Sequence, residues 1–128
     1  MPTSFDYAVI RVMPRVDRGE FINAGVILFC LGRKYLGARV AVDEARIRAL
    51  FPEADLEAIR SHLEAYEKVC AGAPDAGPIA ALSKRERFHW LTSPRSTVVQ
   101  VSPVHSGLCE EPDRALGRLF TQLVETPR

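Results

Sequence analysis

A cluster of charged residues stands between two strongly apolar runs near the start of the chain. The runs cover residues 7–13 and 21–31, and the turn between them carries Arg15, Asp17, Arg18 and Glu20. Guanidinium groups form paired hydrogen bonds with phosphates and carboxylates, and loops on rigid strands commonly carry binding residues. A charged turn is also the ordinary solvated end of a hairpin, and the sequence leaves both interpretations open.

Polar residues inside these apolar runs extend the candidate site. Arg11 lies within the first run and Asn23 within the second, and burying either without a partner costs on the order of 1–3 kcal/mol. Glu20 is the nearest acid of the hairpin, so we expect either a structural Arg11–Glu20 pair or a ligand site at one end of a sheet. The candidate ligand-binding or partner-binding residues are Arg11, Arg15, Glu20, Asn23, Arg95, Ser96 and Gln100.

Other kinds of site find little support in the sequence. The histidines and cysteines lack the paired spacing of zinc ligands, and Gly107 between His105 and Cys109 argues against a helix that would align those two. The chain has no G-x-S-x-G motif, phosphate loop or dinucleotide fingerprint. We therefore predict no catalytic residues, no metal site and no cofactor. Residues 84–90 interleave bases with aromatics, which suits either nucleic acid or an amphipathic helix with a solvated basic face.

Hydrophobic periodicity indicates the elements that position these residues. Strands are predicted at residues 5–13, 21–31, 35–42 and 97–103, and residues 105–107 are predicted to lead into a turn. Helices are predicted after Asp43, along the apolar stripe that contains Leu63, over residues 79–91, and from Pro112 onward. The fold class we predict is α+β: an antiparallel or mixed sheet of about four strands, with three or four helices mainly on one face.

Length and composition predict a cytoplasmic globular protein. The chain has 128 residues, 47% hydrophobic and 26% charged, with a net charge of +1, which suits one domain with a real core. No apolar run is long enough to cross a bilayer, and the first residues do not resemble a signal peptide, so we predict no membrane association. Three widely spaced cysteines favour free thiols in a reducing compartment.

Motifs along nearly the whole chain resemble the DUF3037 family of small bacterial proteins. They are Tyr7-x-x-x-Arg11, residues 20–26, Pro94-Arg95-Ser96, Gln100, Ser102-Pro103 and the segment from Gly107 to Pro112. The resemblance implies a single domain over residues 1–128 and assigns no catalytic residues, because the family's function is unknown. Some members are encoded beside HipA-type kinase-like proteins, which implies a partner of that kind. One departure is Glu111 where the family has Asp, and Glu is a poorer helix N-cap.

Two hypotheses about function follow. The first is a non-catalytic protein-binding or regulatory module of the bacterial cytoplasm, with a protein partner or a second copy of itself. The second is an enzyme or binder that acts on a phosphorylated or nucleic-acid substrate through the arginine-rich sheet end. A concave pocket lined by Arg11, Glu20, Asn23 and Arg95 would favour the second, and a flat apolar patch the first.

Overall fold

The computed structural model describes residues 1–95 and 97–125, and in them five antiparallel strands form one sheet with helices on both faces. The strands are β1 (Thr3–Arg15), β2 (Glu20–Cys30), β3 (Tyr35–Val40), β4 (Val99–Val101) and β5 (His105–Cys109). The helices are α1 (Glu44–Leu50), α2 (Leu56–Ala71), α3 (Lys84–Leu91) and α4 (Pro112–Leu123). Their combination confirms the predicted α+β class.

The strand order is β3-β2-β1, and the outer side of β1 is shared by two short strands. β5 pairs with the first part of β1 (Thr3 to Tyr7), and β4 pairs with a later part (Ile10 to Val12). Because β1 is hydrogen-bonded on both sides along most of its length, it is the central strand on which the sheet is built.

The first face of the sheet, here called the three-helix face, is covered by α1, α2 and α3. Its core includes Ile10 and Ile27 from the sheet, Leu63 from α2 and Phe88 from α3. Leu63 is completely buried, as the apolar stripe of α2 predicts. Asp43 accepts a hydrogen bond from the backbone of Arg46, which confirms its predicted role as an N-cap.

The second face, here called the α4 face, is covered only in part. α4 packs on β2 and β3, where Val26 and Leu28 meet Leu116 and Phe120. Phe5 of β1 joins the same cluster, whereas Arg11 on β1 and Gln100 on β4 remain partly exposed on this face. β1 and β2 are apolar on both faces because helices cover most of each face. The less covered region of the second face stays accessible.

A β-bulge in β2 determines which side chains reach the α4 face near Arg11. Ile10 lies opposite Gly25 and Arg11 opposite Asn23, so Ala24 is the additional residue. Gly25 is confined there, because a Cβ atom would lie 2.7 Å from the carbonyl oxygen of Arg39. Before and after the bulge, β2 therefore places apolar residues on the three-helix face. Asn23 lies beside Arg11 on the α4 face.

Two local predictions were wrong. Residues 105–107 belong to β5 rather than to a turn, and the described chain therefore has five strands. The predicted helix over residues 79–91 is divided into a 3-10 turn at Pro78–Ala81 and α3, which begins at Lys84. Ser83 accepts a hydrogen bond from the backbone of Glu86, and the Glu86 carboxylate accepts one from the backbone of Ser83. This capping box fixes the later start.

Candidate functional site

Three of the predicted site residues form a row across the sheet. Arg11 on β1 lies opposite Asn23 on β2 and opposite Gln100 on β4. Paired residues of neighbouring strands place their side chains on the same face, here the α4 face. The Asn23 amide donates a 3.0 Å hydrogen bond to the carbonyl of Leu123, which holds the end of α4 against the sheet. Gln100 donates a 2.7 Å hydrogen bond to the carbonyl of Thr97.

Arg11 differs from both neighbours because its guanidinium has no hydrogen-bond acceptor and no ion pair among the described residues. Its Nε atom is buried without a partner, and its Cζ atom lies 4.2 Å from the centre of the Phe21 ring. The expected Arg11–Glu20 pair is not formed, since the Glu20 carboxylate binds Arg18 instead. Stacking on an aromatic ring stabilises the charge in part, but it leaves the N–H donors of Arg11 unsatisfied.

The surface around Arg11 combines aromatic, thioether and amide groups. We call it the open face and define it by Tyr7, Arg11, Met13, Phe21 and Gln100. The Phe21 side chain is 42% exposed, and Tyr7 and Met13 are half-buried. None of these residues lines any of five clefts in the described chain. The open face is therefore a partly apolar patch outside those clefts, with one unsatisfied cation.

The hairpin turn that carries Arg15 and Glu20 is occupied by local ion pairs. Arg15 binds Asp17 at 2.6 Å, and Arg18 binds Glu20. The hydrogen bond from Arg15 lowers the pKa of the Asp17 carboxyl and raises the pKa of Arg15 itself. All four side chains are exposed, so these pairs contribute little to stability, and they leave fewer free charges for a ligand.

Arg95 lies on the three-helix face, away from Arg11. Its guanidinium donates to the carbonyl of Trp90 at 2.8 Å and to the Tyr66 hydroxyl at 3.2 Å, and it stacks on the Trp90 ring. These contacts hold the end of α3 and occupy the donors that a ligand would use. Ser96 lies outside the described residues. The structure thus brings together Arg11, Asn23 and Gln100, separates Arg95 from them, and leaves the binding role of all seven residues a prediction.

Two features were not singled out from the sequence. Arg87 is buried and donates to three carbonyls, those of Leu82, Val69 and Cys70. Arg87 lies four residues before the buried Leu91, so both are on the inner side of α3. This spacing is the feature of the sequence that could have indicated a buried arginine. The second feature is an apolar cleft of about 480 Å³ lined by Phe51, His62 and Val98, among others.

The described chain shows no clear centre for metal or thiol chemistry. Among residues 1–95 and 97–125, no three His, Cys, Asp or Glu side chains are grouped to hold a metal ion. The three cysteines are free and buried, and burial raises the pKa of the Cys70 thiol to about 12. In the same residues, no helix combines the length and apolar character needed to cross a membrane.

Fold and surface together define an α+β domain built on one antiparallel sheet with a partly uncovered face. The DUF3037 family, described as a protein of unknown function, matches residues 7–124 of the 128. The chain therefore belongs to the DUF3037 family, as the motifs around Arg11, Gly25 and Pro112 predicted. No solved structure matches it.

Proposed function

We propose that this chain is a non-catalytic protein-binding module and that the open face is its binding surface. The observation that carries the proposal is Arg11, whose guanidinium stacks on Phe21 and has no acceptor within the described chain. An arginine held in one orientation by an aromatic ring is preorganised for a carboxylate, since its planar fork loses little freedom when it binds.

The shape and chemistry of the open face suit a protein partner. Protein interfaces are enriched in aromatic residues, methionine and arginine, and their strongest contacts lie near the centre of the interface. Phe21 stacks on Arg11, and Tyr7 and Met13 lie on the same face of β1 and are partly exposed. We infer that the partner places an Asp, Glu or terminal carboxylate over Arg11 and apolar side chains around it.

The proposal also covers the cellular location of the protein and the identity of its partner. The family resemblance supports a bacterial cytoplasmic location and a HipA-type kinase-like protein as the first partner to examine. Free, buried cysteines are compatible with a reducing compartment.

The alternative function, binding of a phosphorylated or nucleic-acid substrate, has less support. It relied on several arginines that converge at one sheet end, whereas Arg15 binds Asp17 and Arg95 binds carbonyls on the other face. Nucleic-acid surfaces neutralise several phosphates with basic side chains, and Arg11 is the single cation of the open face.

Quantitative affinity capture from the native host tests the proposal. Wild-type protein and Arg11→Ala are compared with Arg18→Ala, which removes an exposed arginine of the same hairpin. Loss of a charge-assisted contact worth about 1.5–3 kcal/mol predicts a roughly tenfold or greater reduction in partner recovery for Arg11→Ala alone. Equal recovery from Arg11→Ala and wild type would overturn the proposal. Recovery that nuclease treatment abolishes would favour the nucleic-acid alternative.

A further inference from the structure

β5 forms an outer edge of the sheet that lacks the usual protection. It pairs with β1 on one side, and no strand of the described chain pairs with its other side. Its sequence, His-Ser-Gly-Leu-Cys, contains no lysine, acid or proline. Natural proteins place such residues on free edges to prevent pairing with another chain, so their absence here indicates an edge that is available for pairing.

The backbone of the edge is oriented for this pairing. The Val9 N–H donates to the Ser102 hydroxyl, and the Val9 carbonyl accepts from the Ser102 backbone N–H, at 2.8 Å each. The backbone groups of Val9 therefore point toward the side of β1 that carries β4 and β5. Hydrogen-bonding direction alternates along an antiparallel strand, so the residues of β1 that bond β5 face His105 and Gly107. The same alternation directs the N–H and C=O groups of Ser106 and Leu108 outward.

Exposed apolar side chains show which register this edge would use. Val104 is 45% exposed and Leu108 is 69% exposed, and both belong to the alternate positions that include Ser106. An antiparallel pair centred on Ser106 places Val104 of each copy opposite Leu108 of the other. It also places His105 opposite Gly107, where the Phe5 ring fills the space a side chain would take, because a Cβ atom there would lie 2.7 Å from Cζ of Phe5.

We propose that the chain forms a two-fold symmetric dimer by antiparallel pairing of β5 with β5 of a second copy, centred on Ser106. A second copy is the matching occupant because the pattern is self-complementary: the same two apolar residues meet twice, and no charge of β5 is brought against its like. The result is a continuous sheet across two chains. The dimer uses the outer backbone edge of β5, whereas the protein-binding function rests on Arg11, so variants of Leu108 and of Arg11 test the two proposals separately.

Sedimentation velocity of the full chain tests the dimer across the micromolar range. Wild type is expected to show a concentration-dependent dimer, and Leu108→Lys is expected to raise the dissociation constant by roughly tenfold or more, because a lysine would replace the apolar cross-strand contact at both ends. Leu82→Lys, at a partly exposed leucine before α3, is the matched control and should sediment as wild type. Val104→Lys provides a second variant should Leu108→Lys fail to fold.

Cross-linking tests the register. Ser106→Cys introduces an exposed thiol at the proposed axis, while the three native thiols are buried. A short bifunctional maleimide is expected to join two copies of Ser106→Cys and to leave Ser61→Cys, on the exposed side of α2, as single chains. A wild type that sediments as a monomer throughout, a dimer that survives both lysine variants, or equal cross-linking of the two cysteine variants would overturn the proposal.

Discussion

Replacing Arg87 by methionine tests the packing between α2 and α3. Methionine keeps much of the length and apolar body of the side chain but removes every donor. The carbonyls of Val69 and Cys70, in the last turn of α2, would lose bonds of 2.8 and 2.9 Å, and that of Leu82 would lose one of 3.0 Å. All three bonds involve a charged donor, and the positive charge also offsets the negative end of the α2 dipole.

The expected loss of stability follows from two opposing contributions. Hydrogen bonds to a charged group contribute about 1.5–3 kcal/mol each, which sets the upper limit of the effect for three bonds. Burying the guanidinium costs several kcal/mol, and that cost disappears with the charge. We therefore expect Arg87→Met to reduce the free energy of unfolding by about 2–4 kcal/mol, a large part of the stability of a domain this size.

Urea unfolding followed by far-UV circular dichroism measures this loss directly. Arg85→Met is the matched control, because Arg85 lies two residues earlier on the same helix and is exposed. It should change stability by less than about 0.5 kcal/mol. A loss for Arg87→Met that is no larger than the loss for Arg85→Met would show that water satisfies the three carbonyls and that Arg87 does not hold the two helices together.

Three further outcomes are expected. Leu63→Ala should reduce the free energy of unfolding by about 2–5 kcal/mol, because it empties a completely buried position; a thermal melt unchanged from wild type would contradict the core described here. The three buried cysteines, including Cys70 with its pKa raised to about 12, should resist a thiol reagent at neutral pH until urea unfolds the chain; native-state labelling would contradict this. Burial, followed by the charge of Arg95, lowers the pKa of His62, so the unfolded state takes up that proton more readily and stability should fall as pH drops below about 6.5. His62→Gln should flatten that slope in urea titrations at pH 7 and pH 5.5, and an equal slope in both proteins would refute the assignment.

Periodicity and capping predicted the parts of the fold that depend on local sequence. The apolar stripe around Leu63 and the N-cap at Asp43 both appear in the structure as predicted. β5 could not be found in this way, because it is short, polar and paired with residues a hundred positions earlier. Its pairing depends on Gly107 lying under the ring of Phe5, a contact that no local pattern records.

The candidate site was predictable only where the strands themselves determine position. Arg11 and Asn23 were singled out as polar residues in apolar strands, and the sheet does place them side by side. Arg95 follows α3 in an irregular segment, so no periodicity indicated which face it would reach. The bulge at Ala24 did have a sequence signal in the neighbouring Gly25, since a glycine inside a strand often marks a bulge or a close backbone approach.

Site-specific photo-cross-linking in the native host tests the central claim most directly. A benzophenone amino acid replaces Phe21 on the open face or Trp90 on α3; these two aromatic residues are 42% and 44% exposed and lie on opposite sides of the sheet. The protein-binding account predicts a discrete adduct with another protein from position 21, lost when Arg11→Ala is added, and none from position 90. Equal adducts from both positions, or an adduct from position 21 that persists with Arg11→Ala, would contradict it.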